Sequence, residues 1–244
     1  MRAMQLERLL HAQGFGSRKE CRALIRAGYV SVAGEACEDP YAEFDAGSTD
    51  GSSGLAFRVG EQDWRFRARA YVVLHKPAGY ECSAKPTFHP SVFTLLPPQL
   101  QERGVQCVGR LDQDTTGLLL LSDDGQFIHH WSSGKKRTPK VYEVTLKHAV
   151  EQAFADCLLD GVELHDEPAP IAAAACELTS PNTLRLTLCE GKYHQVKRMV
   201  GAAGNRVEAL HRSRVGGLDL PAGLAPGQWQ WLEADDLARL ADYA

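Results

Sequence analysis

The sequence predicts an α+β fold: a small N-terminal αβ unit followed by a larger domain built around a mixed, mainly antiparallel sheet. Three observations carry this. Helix-like and strand-like segments both occur, but they do not alternate strictly, as a doubly wound parallel sheet requires. Two short basic helical patterns open the chain and lead into a strand and turn, a compact unit with a small core of its own. The chain has 244 residues, 44% hydrophobic and 24% charged, enough for two unequal domains.

The elements follow in order. Leu6, Leu9 and Leu10 have helical spacing. Ser17-Arg-Lys-Glu20 reads as a capping box, in which the serine accepts from a helix N–H and the glutamate reaches back. The helix it opens runs to Ala27 and stops at Gly28. YVSVAGE alternates Val30 and Val32 and turns at Ala33-Gly34, a strand entering a hairpin. The run from Phe44 to Gly54 is Gly-, Ser- and Asp-rich, and residues 45–54 read as a polar insertion. LAFRVG and WRFRA supply strands that complete the first unit, whose own core is too small to stand alone. YVVLHKP opens the second domain near Tyr71 as a buried strand, ended by Pro77 and Gly79. VQCVG, LLLLS (118–122) and VYEVTL (141–146) read as strands, and residues 150–159 as a helix. IAAAACEL and TLRLTLCEG read as strands, the second with Leu184, Leu186 and Leu188 on one face. HQVKRMVGAAG reads as a helix with Val196, Met199 and Val200 inward, and EADDLARL as a last helix.

Several classes are excluded. No run of about 18 apolar residues exists, so no membrane span is expected. The N-terminus has charges inside its apolar pattern and is not read as a secretory signal. Seven scattered cysteines without a Cys-x-x-Cys pair argue against a disulfide framework or a zinc site, and for a reducing cytoplasm. No metal site is expected. The net charge of −4 hides a polar distribution. Residues 1–30 carry Arg2, Arg8, Arg18, Lys19, Arg22 and Arg26 against two acids, and residues 185–214 carry seven basic groups against two acids. KKRTPK adds a third basic segment, whereas residues 148–180 carry seven acids and no Lys or Arg. The basic segments are either solvated helix faces or parts of one phosphate-binding surface.

The stretch from Gly109 to Gly125, GRLDQDTTGLLLLSDDG, concentrates the chemistry. Asp-x-Asp-x-Thr also occurs in magnesium-dependent aspartate-nucleophile phosphatases. There the acids follow a hydrophobic strand; here the leucines come after the acids and Arg110 before them. The plainest reading is a tight turn, with Asp112 and Thr115 or Thr116 satisfying it through local hydrogen bonds.

This stretch closely resembles the catalytic motif of pseudouridine synthases, in the RsuA-type branch that acts on ribosomal RNA. LHKPAGYECSAKPTFHPSVFTLLP, KVYEVTL and EGKYHQVKRMVGAAGNRVEALHRSRVGGL resemble three further motifs of that branch, in the same order. The front sixty or so residues resemble its S4-type RNA-binding domain. The resemblance implies an S4-like domain over 1–66 and a catalytic domain over 70–244. It implies breakage of the N1–C1′ bond of a uridine, rotation of the uracil, and rejoining through C5, with no cofactor or metal. By the same resemblance Asp112 attacks C1′ or takes the C2′ proton, and Lys197 is its basic partner. Many relatives carry arginine at that place, so the lysine keeps the charge and loses the fork. Arg198, the next helical position, points about 100° away. Tyr142 is the ring that stacks on the uracil and a candidate to help remove the C5 proton. Arg110 fills the gap left by the extruded nucleotide, an extrusion that costs a few kcal/mol. Leu111 and Leu118–Leu121 are read as core. Arg8, Arg18, Lys19, Arg22 and Arg26, with Lys140, Lys192 and Arg198, are expected RNA contacts.

KYHQVKRM, ALHRSRVGG and DQDTTG resemble the small-subunit enzymes more than the large-subunit ones, whose equivalent stretch is closer to N-R-x-V-R-R. The resemblance therefore implies a monomer acting on 16S ribosomal RNA, free or in a partly assembled small subunit, in the cytoplasm. The alternatives are a 23S enzyme of the same family and a non-catalytic RNA-binding or assembly protein on the same scaffold.

Overall fold

The structure, a computed structural model, describes residues 3–47 and 54–243. Arg2 and most of the expected insertion at 45–54 lie outside the described residues. The N-terminal unit comprises β1 (Ala3–Gln5), α1 (Leu6–Ala12), α2 (Arg18–Arg26), β2 (Val30–Val32), β3 (Glu35–Ala36), β4 (Glu43–Asp45), β5 (Ala56–Val59) and β6 (Gln62–Arg65). The capping box at Ser17 and Glu20 is present. Ala33 and Gly34 both have positive φ, 51° and 91°, the geometry of a tight hairpin between β2 and β3. Leu6, Leu9, Leu10 and Ile25 pack against Phe57 and Phe66, so the helices do borrow their core from the later strands.

The second unit contains β7 (Tyr71–Lys76), a 3-10 turn at Val92–Leu95, α3 (Pro98–Glu102), β8 (Gln106–Val108), β9 (Thr116–Ser122), α4 (Gly125–Ser132), β10 (Lys140–Leu146), α5 (Gln152–Asp160), β11 (Ala175–Ser180), β12 (Thr183–Leu188), α6 (Gln195–Ala202), β13 (Val207–Val215), β14 (Leu218–Asp219), β15 (Trp229–Trp231) and α7 (Ala234–Ala241). One sheet runs β11-β12-β10-β13-β9-β7-β15, with β14 beside β13 and β8 beside β9. Its pairings are antiparallel except β13 with β9. Leu119 and Leu121 face one core with Val72, Leu74 and Val144, while Leu118 and Leu120 face another with Trp131 and Val215. A strand covered on both faces reads as a continuous apolar run, which is why four leucines stand in a row.

The parallel pairing is short: His211 opposite Thr116 and Arg212 opposite Gly117. Gly117 is required there, since a Cβ would lie 2.2 Å from the Arg212 carbonyl oxygen. The Arg212 Nε then donates to the Leu118 carbonyl at 2.9 Å, a side-chain rung where the ladder stops. Past that rung the two strands part, and a cavity lined by Leu120, Val215, Tyr142 and Arg212 occupies the split.

Several elements were not anticipated. The strand expected across 171–178 starts only at Ala175; Ile171 makes an isolated bridge to Val162. Helix α4 was missed, although Asp124 caps it by accepting from Gln126 N at 2.9 Å. Its histidines and aromatics are weak helix formers, and the helix rests on packing of Phe127 and Trp131. Strand β13 was missed because its arginines disguise its inward face, where Leu210 and Arg212 are both buried. Contacts across the two units include Arg67 to Glu233 at 2.5 Å and Trp64 edge-on to Trp231.

Candidate active site

The loop from Gly109 to Thr115 joins β8 to β9 and is fixed from below. Lys76, fully buried at the end of β7, donates from Nζ to the carbonyls of Pro77, Gln113 and Thr115 at 3.1, 3.1 and 2.9 Å. Gly79 N donates to the Gln113 carbonyl at 2.7 Å, and Leu111 N to the Cys82 thiol. Burial pushes the Lys76 pKa down, and the nearby Cys82, Asp114 and Asp112 charges oppose it. The turn itself closes by Thr115 N donating to the Asp112 carbonyl at 3.1 Å. The local side-chain bonds expected of a bare turn are not made. The Asp112 carboxylate points at α6, Thr116 bonds to His211, and the buried Thr115 hydroxyl has no partner.

Helix α6 supplies the cation. Lys197 Nζ lies 3.1 Å from Asp112 Oδ2, and 2.7 and 2.9 Å from the two Asp114 oxygens. Burial alone would lower the lysine pKa, but its hydrogen bonds to Asp114 and Asp112 outweigh that and raise it. Burial alone would raise Asp114, but the bond from Lys197 and its charge hold it low. Both shifts favour the charged forms. The Asp114 contribution is present above the ordinary aspartate range and lost as pH falls through the lowered value; the Lys197 contribution is present below the ordinary lysine value and lost as pH rises through the raised one. His194, one residue before the helix, has φ 48° and sends its ring to Asp112 Oδ1 at 3.3 Å instead of capping the helix. Tyr193, 75% exposed, stacks on that ring at 3.8 Å.

Asp112, Lys197 and Tyr142, distant in sequence, therefore line one cavity, together with Arg110, Lys140 and Lys192. Tyr142 is buried on β10, with Val144 and Leu146 on the same face. Arg110 is exposed at the rim and makes no ion pair among the described residues. Lys140 donates to the Thr138 carbonyl, and Lys192 pairs with Glu167 and Glu190. Arg198 turns away to Asp166 and the Tyr193 carbonyl. Arg8, Arg18, Lys19 and Arg26 are exposed on the N-terminal helices, whereas Arg22 is held by the buried Glu7 at 2.6 Å. Asp123 and Asp124 serve the fold: Asp123 pairs with the buried Arg103 at 2.7 Å, and Asp124 caps α4 and accepts from the Tyr71 hydroxyl.

Sequence reasoning passed over four residues. Lys76 was only part of a quoted motif, His194 stood beside the chosen lysine, and Gln195 looked like an ordinary helix residue. Gln195 is buried and braces the preceding turn, accepting from Lys192 N and donating to Glu190. Arg212 was counted only as charge. Lys76, His194 and Arg212 had no local signal, because each acts through a residue far along the chain or through the cavity.

The arrangement sets a carboxylate beside an ammonium at the mouth of a cavity with an aromatic wall. Lys197→Met is expected to lower turnover about 100-fold, and Lys197→Arg no more than about tenfold, because a guanidinium can serve both carboxylates. Single-turnover rates on RNA check this; wild-type rates in the methionine variant would remove Lys197 from the mechanism.

Both units of the chain are similar to known proteins. The family model described as RNA pseudouridylate synthase matches residues 70–202, and the S4 domain model matches residues 4–49. The chain is 37% identical over 243 residues to ribosomal small subunit pseudouridine synthase A of Yersinia pestis, covering 96% of this chain and 97% of the relative. It is 44% identical over 168 residues to the protein of that name from Escherichia coli (strain K12), covering 69% and 72%. A solved structure described as a pseudouridylate synthase superposes with TM-score 0.67 at 30% identity, covering 97% of this chain and 99% of the other.

Proposed function

The chain belongs to the RNA pseudouridylate synthase family, and from that membership we propose that it converts one uridine of small-subunit ribosomal RNA to pseudouridine. The observation that carries the reading is the meeting of the Asp112 carboxylate, the Tyr142 ring and the Lys197 ammonium in one cavity, on the unit that matches the family. The relatives named for the small subunit supply the substrate class.

Residues 1–66 hold RNA and residues 70–244 carry out the chemistry. Exposed Arg8, Arg18, Lys19 and Arg26 contact phosphates, which sets affinity and register rather than base choice. Arg22 is already neutralised by Glu7 and contributes less. The target nucleotide leaves its stack, and the free guanidinium of Arg110 at the rim takes its place. The uracil enters against Tyr142, which leaves the ribose at the mouth beside Asp112. Asp112, kept beside the Lys197 ammonium, attacks C1′ or takes the C2′ proton, and the C1′–N1 electron pair passes to the uracil. After rotation C5 bonds to C1′, releasing the Asp112 carboxylate on the first route or with return of the proton to C2′ on the second. C5 then loses its proton, with Tyr142 near the ring, and N1 takes one up. The enzyme acts as a monomer, in the cytoplasm, on 16S RNA free or within a partly assembled small subunit. Among the described residues no helix is long and apolar enough to cross a membrane.

Mapping pseudouridine in ribosomal RNA from cells with and without the gene tests the reading. One 16S position is expected to revert to uridine. A lost 23S position would instead favour the large-subunit enzyme, and an unchanged map would leave an RNA-binding protein.

A further inference from the structure

Behind Tyr142 the cavity continues into the split between β9 and β13, and there it is cationic. The residues around it become steadily more buried in one direction. The side chains of His194, Asp112 and Lys197 are 38, 29 and 27% exposed. Tyr142 is 9% exposed and Arg212 only 3%. Asp112, Tyr142 and Arg212 line one cavity, and Arg212 is the most buried of the three.

Arg212 is an unusual buried cation. Its Nε is used by the Leu118 carbonyl, but its guanidinium makes no ion pair among the described residues, and its terminal nitrogens face the cavity. Its neighbour makes matters worse. Lys140 stands on the face of β10 that also carries Tyr142, and Tyr142 is paired with Arg212 across the sheet. Burial first, and the Arg212 charge second, push the Lys140 pKa down to about 8. The acids that line the cavity, Asp112 and Glu190, face Lys197, His194, Lys192 and Gln195 and not Arg212, and a buried charge without a partner loses several kcal/mol of hydration. Thr115 lines the same cavity, but its hydroxyl oxygen is sealed from it, so Arg212 and Lys140 carry the unused hydrogen-bonding capacity facing a cavity of about 130 Å³. That volume holds a few waters or one pyrimidine base, and is too small for a nucleotide with its phosphate.

We propose that this recess is a binding site for the uracil anion, with Arg212 as the electrophile that stabilises it once its bond to the ribose has broken. The inference rests on the pseudouridine synthase reading and extends it. When C1′–N1 breaks, the electron pair goes to the ring and spreads onto its carbonyl oxygens. Arg212 holds that charge by hydrogen bonds from its terminal nitrogens. Rejoining through C5 moves the electron pair into the new C–C bond and makes the ring neutral; the C5 proton then leaves and N1 takes one up. A fixed guanidinium at the buried end of the cavity is suited to charge that exists only between the two bonds. It lowers the barrier without tightening the ground state, where the uracil is neutral.

Free bases test the site directly. Thymine is neutral at neutral pH, whereas the nitro group of 5-nitrouracil makes that base an anion. Their dissociation constants are measured by ligand-observed NMR with the full wild-type chain. 5-Nitrouracil is expected to bind at least about tenfold more tightly than thymine. The preference is expected to vanish in Arg212→Met and to survive in Lys192→Met, which removes a cation at the mouth. Equal binding of the two bases to the wild type, or no binding of 5-nitrouracil, overturns the proposal without any variant. A preference that persists in Arg212→Met, or is lost equally in Lys192→Met, overturns the assignment to Arg212. In turnover, Arg212→Lys is expected to lower kcat with KM nearly unchanged, a split that a purely structural arginine does not produce. If the wild type forms pseudouridine yet shows no anion preference, only this inference fails; if it forms none, the functional reading fails.

Discussion

Asp112→Asn is expected to reduce pseudouridine formation by about 10³-fold or more, while RNA affinity stays within about threefold of wild type. Asparagine has the shape of aspartate, so the loop keeps its backbone bond from Thr115 N to the carbonyl of residue 112. Its amide oxygen can still accept from Lys197, which lies 3.1 Å from Asp112 Oδ2. What is lost is the negative charge, and with it both the capacity to attack C1′ and the capacity to take a proton from C2′. Affinity is set by phosphate contacts elsewhere, and the removed charge repelled phosphate, so any change in binding should be toward tighter. Single-turnover assays with filter binding on the same RNA check both halves. An asparagine variant working within tenfold of wild type would remove the carboxylate from the mechanism.

The second large effect is expected at a residue that touches no substrate. Lys76→Met should leave the protein folded and RNA-binding but lower turnover about 100-fold. Two magnitudes decide this. Removing Nζ leaves the carbonyls of Pro77 and Thr115 short of a donor, at about 1–3 kcal/mol for each that stays buried, while the Gln113 carbonyl keeps the bond from Gly79 N. Against that, the methionine no longer has to bury a charge whose pKa burial already pushes down. The two largely offset, so the melting temperature moves little. Geometry has no such offset. Gln113 and Thr115 flank the Asp112 turn, and a shift of about 1 Å at a reacting carboxylate suffices for a 100-fold loss. The expected signature is a lower kcat with unchanged KM. A variant that melts normally and turns over at the wild-type rate would show that the loop holds itself.

Much of the fold was legible because its signals are local. The capping box at Ser17, the Ala33-Gly34 turn and the inward faces of β12 and α6 each follow from residues within a few positions of one another. Helix α4 and strand β13 were not legible, since one is held by packing and the other buries an arginine where a pattern needs an apolar residue. The same division runs through the site. Motif order named Asp112, Tyr142 and Lys197, whereas Lys76, His194 and Gln195 show what they do only through their partners. Asp114 is the clearest case: the sequence pairs it with Asp112 as a possible metal dyad, and the fold places the Lys197 ammonium between the two carboxylates.

By itself the sequence determined which residues the family's motifs single out, because their types and order are written along the chain, and which segments bury apolar faces, because period and capping are properties of neighbours. The tertiary structure alone decided where charge is left unpaired. Whether an arginine is solvated, bridged or stranded depends on groups brought near it from other strands, and at Arg212 the parting of β9 from β13 leaves a buried cation facing an open recess.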